Sequence, residues 1–162
     1  MVYNSHMSTN QQTGDVYYMK MALEQAREAF LRGEVPVGAV LVKEGAVLVT
    51  SRNRCEELKE ATAHAEILAI REAGRLLGGW RLTGTTLYVT LEPCPMCAGA
   101  LVQARVERLV FGAADTKGGA AGTLYNIVRD ERLNHRLEVT AGVMEEKCAE
   151  LIRNFFRLRR GE

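Results

Sequence analysis

Between Val35 and Thr50 the chain carries two runs rich in strand-forming residues, Val35-Pro36-Val37-Gly38-Ala39-Val40-Leu41-Val42 and Ala46-Val47-Leu48-Val49-Thr50, parted only by Lys43-Glu44-Gly45. So short a link with a glycine at its end makes an antiparallel hairpin. Thr85-Thr86-Leu87-Tyr88-Val89-Thr90 is a third strand, rich in β-formers, and Arg108-Leu109-Val110-Phe111-Gly112 a fourth, with a helical segment between them. A hairpin that runs on into strand–helix–strand units requires a mixed central sheet with helices over both faces.

The intervening segments supply those helices. Over residues 15–32, Met19, Ala22, Leu23, Ala26 and Phe30 form an apolar stripe, with Asp15 as the expected N-cap and Gly33 as the stop. Helices are also expected over 63–77, ended by Gly78-Gly79, over 94–105 and over 145–160. Residues 137–140 read as the fifth strand, 51–62 as a polar connection and 124–128 as a helical turn. Residues 15–162 are expected to form one domain, and 1–14 a disordered segment in which Ser5-His6-Met7 resembles a cloning scar.

With 162 residues, 47% hydrophobic and 25% charged, the chain has the balance of a globular protein with a real core. Its net charge of +1 gives no overall attraction for nucleic acid, so any such contact must come from local clusters. No apolar run is long enough for a transmembrane helix, and no secretory signal pattern opens the chain. A cytoplasmic protein without membrane contact is expected. In that setting Cys55, Cys94, Cys97 and Cys148 point to a metal site sooner than to disulfides, with Cys55 and Cys148 as core or loop thiols.

Two segments carry the chemistry: Ala63-His64-Ala65-Glu66 and Glu92-Pro93-Cys94-Pro95-Met96-Cys97. They offer one imidazole and two thiolates. Structural zinc takes four protein ligands, whereas catalytic zinc takes three and keeps one position open. Cys94 and Cys97, three apart, share a helix face, and Pro95 suits the first helical position. The positive end of that helix favours thiolate over thiol. His64 and Glu66, two apart, do not face the same way, so Glu66 suits a carboxylate approaching from another side. A C-x-x-C alone also fits a redox pair or a zinc knuckle. Both segments together match the H-x-E…P-C-x-x-C signature of zinc nucleobase deaminases.

Beyond that signature, the chain resembles the bacterial tRNA-specific adenosine deaminases, within the cytidine deaminase-like superfamily, from about Met19 to Arg160. The matching stretches include Glu34-Val35-Pro36-Val37-Gly38-Ala39-Val40, Thr62-Ala63-His64-Ala65-Glu66-Ile67, Leu87-Tyr88-Val89-Thr90-Leu91-Glu92-Pro93-Cys94 and Met96-Cys97-Ala98-Gly99-Ala100. Val110-Phe111-Gly112-Ala113, Asn134-His135-Arg136 and Phe155-Phe156-Arg157-Leu158-Arg159-Arg160 extend the match. The resemblance implies a three-layer α/β/α fold around a mixed five-stranded sheet and one zinc ion per subunit. It puts the zinc on His64, Cys94 and Cys97, and the proton shuttle on Glu66. It implies Asn53 on the base edge, Val35 and Pro36 as pocket walls and Asp115 beside bound RNA. The implied substrate is the wobble adenosine of a tRNA anticodon stem-loop, converted to inosine. A homodimer using the Ala98-Gly99-Ala100 region is also implied. One departure is Glu60-Ala61, where the family often has Asp-Pro; loss of the proline is expected to loosen the loop between Asn53 and His64.

The tail Arg153-Asn154-Phe155-Phe156-Arg157-Leu158-Arg159-Arg160 holds four arginines around paired aromatics. Such arginines complement a helix C-terminus, but they also neutralise phosphates, and an aromatic can stack on an unpaired base. Neighbouring helical residues diverge by about 100° at 3.6 residues per turn. One of Phe155 and Phe156 is therefore expected to pack inward, and the resemblance implies that Phe156, with Arg157, Arg159 and Arg160, is the one toward RNA. The Gly118-Gly119-Ala120-Ala121-Gly122 run lacks the ending of a phosphate-binding loop and reads as a flexible surface loop. Trp80 is expected in a core or interface and His135 in a structural role.

Two other classes fit part of this pattern. A deaminase of a free nucleobase or nucleoside, of cytidine or guanine type, would carry the same metal site; the arginine-rich tail speaks against it. A non-catalytic zinc module would have no use for Glu66.

Overall fold

The expected hairpin and strand–helix–strand units meet in one five-stranded sheet of order β2-β1-β3-β4-β5. The computed structural model describes residues 8–161. In it β1 (Gly38–Lys43) pairs antiparallel with both β2 (Ala46–Arg52) and β3 (Thr85–Leu91). From there β4 (Arg108–Ala113) lies parallel to β3, and β5 (Glu138–Ala141) parallel to β4. The helices are α1 (Thr9–Leu31), α2 (Cys55–Leu58), α3 (Ala65–Leu77), α4 (Pro95–Gln103) and α5 (Glu145–Arg159).

Strand alternation divides the interior into two layers. Ala39 and Leu41 of β1 face a cluster with Ala65, Ala69 and Ala73 of α3 and Ala98, Leu101 and Val102 of α4. Val40 and Val42 face the opposite cluster, built with Met19, Ala22 and Leu23 of α1 and Cys148 of α5. Every residue of β4 is buried, as expected of a parallel strand covered on both sides. The result is the three-layer α/β/α arrangement. Small residues set its spacing: a Cβ on Gly38 would lie 2.0 Å from the backbone oxygen of Ala22 in α1.

Several boundaries differ from the sequence reading. The first helix begins at Thr9, capped by the Ser8 hydroxyl, which accepts from Gln11 N–H at 3.2 Å. Residues 9–14, expected to be disordered, are therefore helical; residues 1–7, with the scar-like Ser5-His6-Met7, lie outside the described residues. Asp15 is not a cap. It is buried, accepts from both terminal nitrogens of Arg108 at 2.8 and 2.7 Å, and accepts from the Tyr88 hydroxyl at 2.9 Å. The partner lies 93 residues away, so no local pattern could reveal it.

The first strand starts at Gly38 rather than Val35, because Pro36 has no N–H to give a ladder. The polar connection holds a single helical turn, α2, ended by Lys59 at φ 54°. Residues 124–128 are not helical: Asn126 makes an isolated antiparallel bridge to Ala121. Trp80 is not in the core; its ring is 57% exposed and lies under the Arg81 guanidinium, 4.2 Å from the centroid. His135 is structural as expected, its Nε2 2.7 Å from the Val106 carbonyl. No helix among the described residues is long and apolar enough to cross a membrane.

Removing one partner of a buried ion pair strands the other charge. Asp15→Ala should therefore lower unfolding free energy by about 3–5 kcal/mol in urea titration, with the sheet intact by circular dichroism. A loss below about 1 kcal/mol, typical of an exposed pair, would show that Arg108 finds an equal partner elsewhere.

Candidate active site

Two helices begin at the same place. His64 is the N-cap of α3, with extended backbone at φ −72°, ψ 152°, and Cys94 is the N-cap of α4 at φ −71°, ψ 172°. Pro95 follows at the first helical position, as its fixed φ and missing N–H favour. Cys97 lies one turn on and is fully buried. These starts bring His64 Nδ1 to 3.6 Å from Cys94 Sγ and 3.5 Å from Cys97 Sγ. The three donor atoms all lie within 4.8 Å of one another. Donors about 2.0–2.3 Å from a tetrahedral ion stand roughly 3.5 Å apart, so this set fits a divalent metal of zinc's size and softness.

The protonation pattern shows why the cluster suits a cation. Cys94 is pulled down to about 4, first by the hydrogen bond from Cys97 and next by His64. Cys97 is pushed up, chiefly by that same bond to Cys94 and by burial. Two adjacent thiols cannot both ionise cheaply without a cation between them. His64 is raised by its hydrogen bond to Cys94, against the opposing effect of burial. Glu66, in the first turn of α3, is only 4% exposed, and burial pushes its carboxyl up to about 7.

The cluster opens into a cavity of about 230 Å³. Asn53, Glu66, Asp115 and Val35 line it together with His64 and Cys94. Pro36 does not: extended chain alternates, so Val37 joins Val35 at the cavity. Asn53 is buried and its Oδ1 accepts from Ala65 N–H at 2.7 Å, helping to cap α3. That bond fixes the amide, and leaves the NH₂ as its remaining donor. The loop that lost its proline is tied down in another way. Buried Glu34 accepts from Glu56 N–H and Glu57 N–H at 3.0 and 2.8 Å, and Arg54 N–H donates to the Ala63 carbonyl at 3.0 Å.

Besides Val37, three lining residues were not singled out as site residues from sequence. Leu91 and Glu92 precede the cysteine motif directly, and Cys55 lies two residues after Asn53. Proximity to the motifs was the one signal available for them. The glycine-rich segment is not a flexible surface loop, since Gly119, Ala120 and Ala121 are buried. Phe156, Arg157, Arg159 and Arg160 are not cavity-lining; they form the exposed last turn of α5. Phe155 packs inward, its ring 5.8 Å from that of Phe30, while Phe156 is 42% exposed. Arg159 is partly structural: it donates to the Gly33 carbonyl at 3.1 Å, and its guanidinium covers Phe155 at 4.9 Å.

A His/Cys/Cys group able to hold a metal ion, with one buried carboxylate beside it at the helix starts of a mixed α/β/α sheet, defines a hydrolytic deaminase of the cytidine deaminase-like class. Residues 13–160 match the family model of MafB19-like deaminases, and the chain belongs to that family. It is 54% identical over 145 residues to the tRNA-specific adenosine deaminase of Bacillus subtilis, covering 90% of each chain. A solved structure from biochemical and structural studies of A-to-I editing by tRNA:A34 deaminases superposes with a TM-score of 0.81 at 48% identity, over 83% of this chain and 98% of that one. A guanine deaminase structure from Bacillus subtilis is more distant, with a TM-score of 0.60 at 36% identity over 72% and 71% of the chains.

Cys97→Ala removes the most deeply buried donor. Metal content by plasma mass spectrometry should fall from near one divalent ion per chain to near zero, and Cys94→Ala should do the same. Full metal occupancy in both variants would move the site elsewhere.

Proposed function

We propose that this chain hydrolyses adenosine to inosine at the wobble position of a tRNA anticodon loop, releasing ammonia, with one zinc ion held by His64, Cys94 and Cys97. The observation that carries this reading is the buried Glu66 carboxylate sharing one small cavity with Asn53 and with His64 and Cys94 of the three-donor group, whose third member, Cys97, lies buried beside them. The extent of the likeness to tRNA-specific adenosine deaminases supports the choice of substrate.

Zinc in a three-ligand site brings the pKa of water from about 15.7 to about 7. Glu66 takes one proton of the attacking water and delivers it to N1 of adenine; it then takes the proton of the hydroxyl now on C6 and passes it to the departing amino group, so that C6=O forms as the C6–N bond breaks and ammonia leaves. One carboxylate serves as base and then acid because both atoms lie within its reach. Burial, which holds its carboxyl at about 7, lets it take and return a proton near neutral pH. Asn53, with Oδ1 committed to Ala65, offers its NH₂ to an acceptor on the base edge. Val35 and Val37 bound the apolar side of the base.

A cavity of about 230 Å³ takes a single base, so the base must leave its stack. An anticodon loop presents such unstacked bases at little cost. Asp115 at the rim, with Phe156, Arg157, Arg159 and Arg160 further out, would meet the flanking nucleotides. The reading includes a homodimer in the cytoplasm, with the Ala98-Gly99-Ala100 edge of α4 toward the second copy; a side chain at Gly99 would meet open space.

Incubation with an anticodon stem-loop bearing a wobble adenosine should yield inosine, read by nucleoside mass spectrometry. Deamination of free guanine or cytidine without action on the stem-loop would replace this reading by the small-molecule one. Glu66→Gln should keep zinc and fold yet lose about 10²–10⁴-fold in kcat, the usual worth of general acid–base catalysis. If most activity survived, another group would have to move the proton.

Replacing Arg157, Arg159 and Arg160 together by Ala should weaken stem-loop binding and flatten its salt dependence, by a log–log slope of about 0.7 per lost phosphate contact. Because Arg159 also braces Gly33, thermal stability should drop slightly in the same variant. Binding indifferent both to the substitutions and to salt would make the tail wholly structural.

A further inference from the structure

Glu92 is nearly fully buried, yet the proton shuttle and metal-donor roles leave it unused. Its carboxylate is saturated by one loop. Oε1 accepts from Asp115 N–H at 3.1 Å and from the Thr123 hydroxyl. Oε2 accepts from Ala121 N–H at 3.0 Å and Thr123 N–H at 3.1 Å. The two ends of the 115–123 loop are thus gathered on one anion that the chain itself supplies.

The loop closes tightly around this group. A Cβ on Gly119 would come within 2.5 Å of Glu92 Cδ and Oε1, and 2.6 Å of the Asp115 carbonyl. Ala120 N–H donates to the Pro93 carbonyl at 2.8 Å, which stitches the loop to the residue next to Cys94. Asp115 itself is held at both ends. Its N–H is on Glu92, and its Oδ1 accepts from Lys117 N–H and Gly118 N–H at 2.9 and 3.2 Å. Both Asp115 and Glu92 line the cavity.

We propose that Glu92 is a positioning residue: its carboxylate clamps the 115–123 loop so that Asp115 is held at the cavity rim, setting affinity for the nucleotides around the target base. This rests on the wobble-adenosine reading for its substrate. A carboxylate is needed because four donors converge on it. An amide has only one acceptor oxygen, and its NH₂ would face donors. The same argument forbids a side chain at residue 119.

The test compares the zinc-loaded wild type with Glu92→Gln and Gly119→Ala, and with Thr123→Val as a mild variant that removes only the hydroxyl. Amide hydrogen exchange is read at Asp115, Ala121 and Thr123, and KM and kcat on the anticodon stem-loop. In Glu92→Gln and Gly119→Ala, protection should fall within 115–123 alone and zinc content should hold. KM should rise about tenfold, the equivalent of one or two lost hydrogen bonds, with kcat falling less than KM rises. Thr123→Val should shift KM the same way by a smaller factor.

Exchange that speeds up locally with KM unmoved would overturn the positioning role, as would kcat falling with KM constant. Should Glu92→Gln and Gly119→Ala unfold, an unchanged KM in Thr123→Val overturns it and a raised KM supports it. A wild type inactive on the stem-loop would sink the substrate reading; the clamp would then be decided by exchange alone, and unchanged protection in Glu92→Gln would overturn it.

Discussion

The N-termini of α3 and α4 converge over one face of the sheet, and each presents its positive dipole end to the same small volume. Such a place stabilises negative charge. The chain puts two thiols and the Glu66 carboxyl there. Burial opposes ionisation of Glu66, and the shared proton opposes ionisation of Cys97. A divalent cation held by His64, Cys94 and Cys97 would resolve the conflict by neutralising the thiolates. The register of the sheet, the packing of Ala65, Ala69 and Ala73, and the Asn53–Ala65 hydrogen bond all serve to hold the two helix starts in that relation.

Around this centre the chain solves one problem repeatedly. Loops that reach the cavity carry backbone N–H groups that need acceptors, and buried carboxylates supply them. Glu34 satisfies the start of α2, whereas Glu92 satisfies both ends of the 115–123 loop. A rigid cavity wall can thus be made from segments with little regular structure. In the proposed reaction, rigidity matters because a single shuttle would have to reach several atoms of one base in turn.

Much of this was legible in the sequence, for local reasons. Hairpin spacing, helical stripes and the proline beside Cys94 act within a few residues, so the sheet and the candidate three-donor cluster could be read directly. What escaped depends on distant pairing. Asp15 has the type of a cap and the context of a helix start, yet it pairs with Arg108 across the core. Leu124 to Val128 have helical composition, but the loop is held by Glu92 and a bridge to Asn126 instead. The glycines at 118 and 119 signalled flexibility, whereas Gly119 is there because a carboxylate occupies the space a side chain would need. Pro36 fell outside the cavity because strand alternation could be applied only once the true start of β1 was known.

The pairing of Asp15 with Arg108 also bears on how the chain is made. During synthesis the first helix emerges long before β4, and its carboxylate has no countercharge until 93 further residues have followed. At about 5–20 residues per second the interval is several seconds. For part of that interval, until β3 follows, the completed hairpin of β1 and β2 has no neighbour on its β1 side, and an unpaired strand edge of this kind invites association with other chains. The sheet order places β1 second, between the early β2 and the later β3, so the strand at risk ends inside the sheet rather than at its edge. Contacts of such long sequence separation slow folding. The helix that covers Val40 and Val42 in the finished fold, α1, precedes β1 in the chain and is made before the strand it covers.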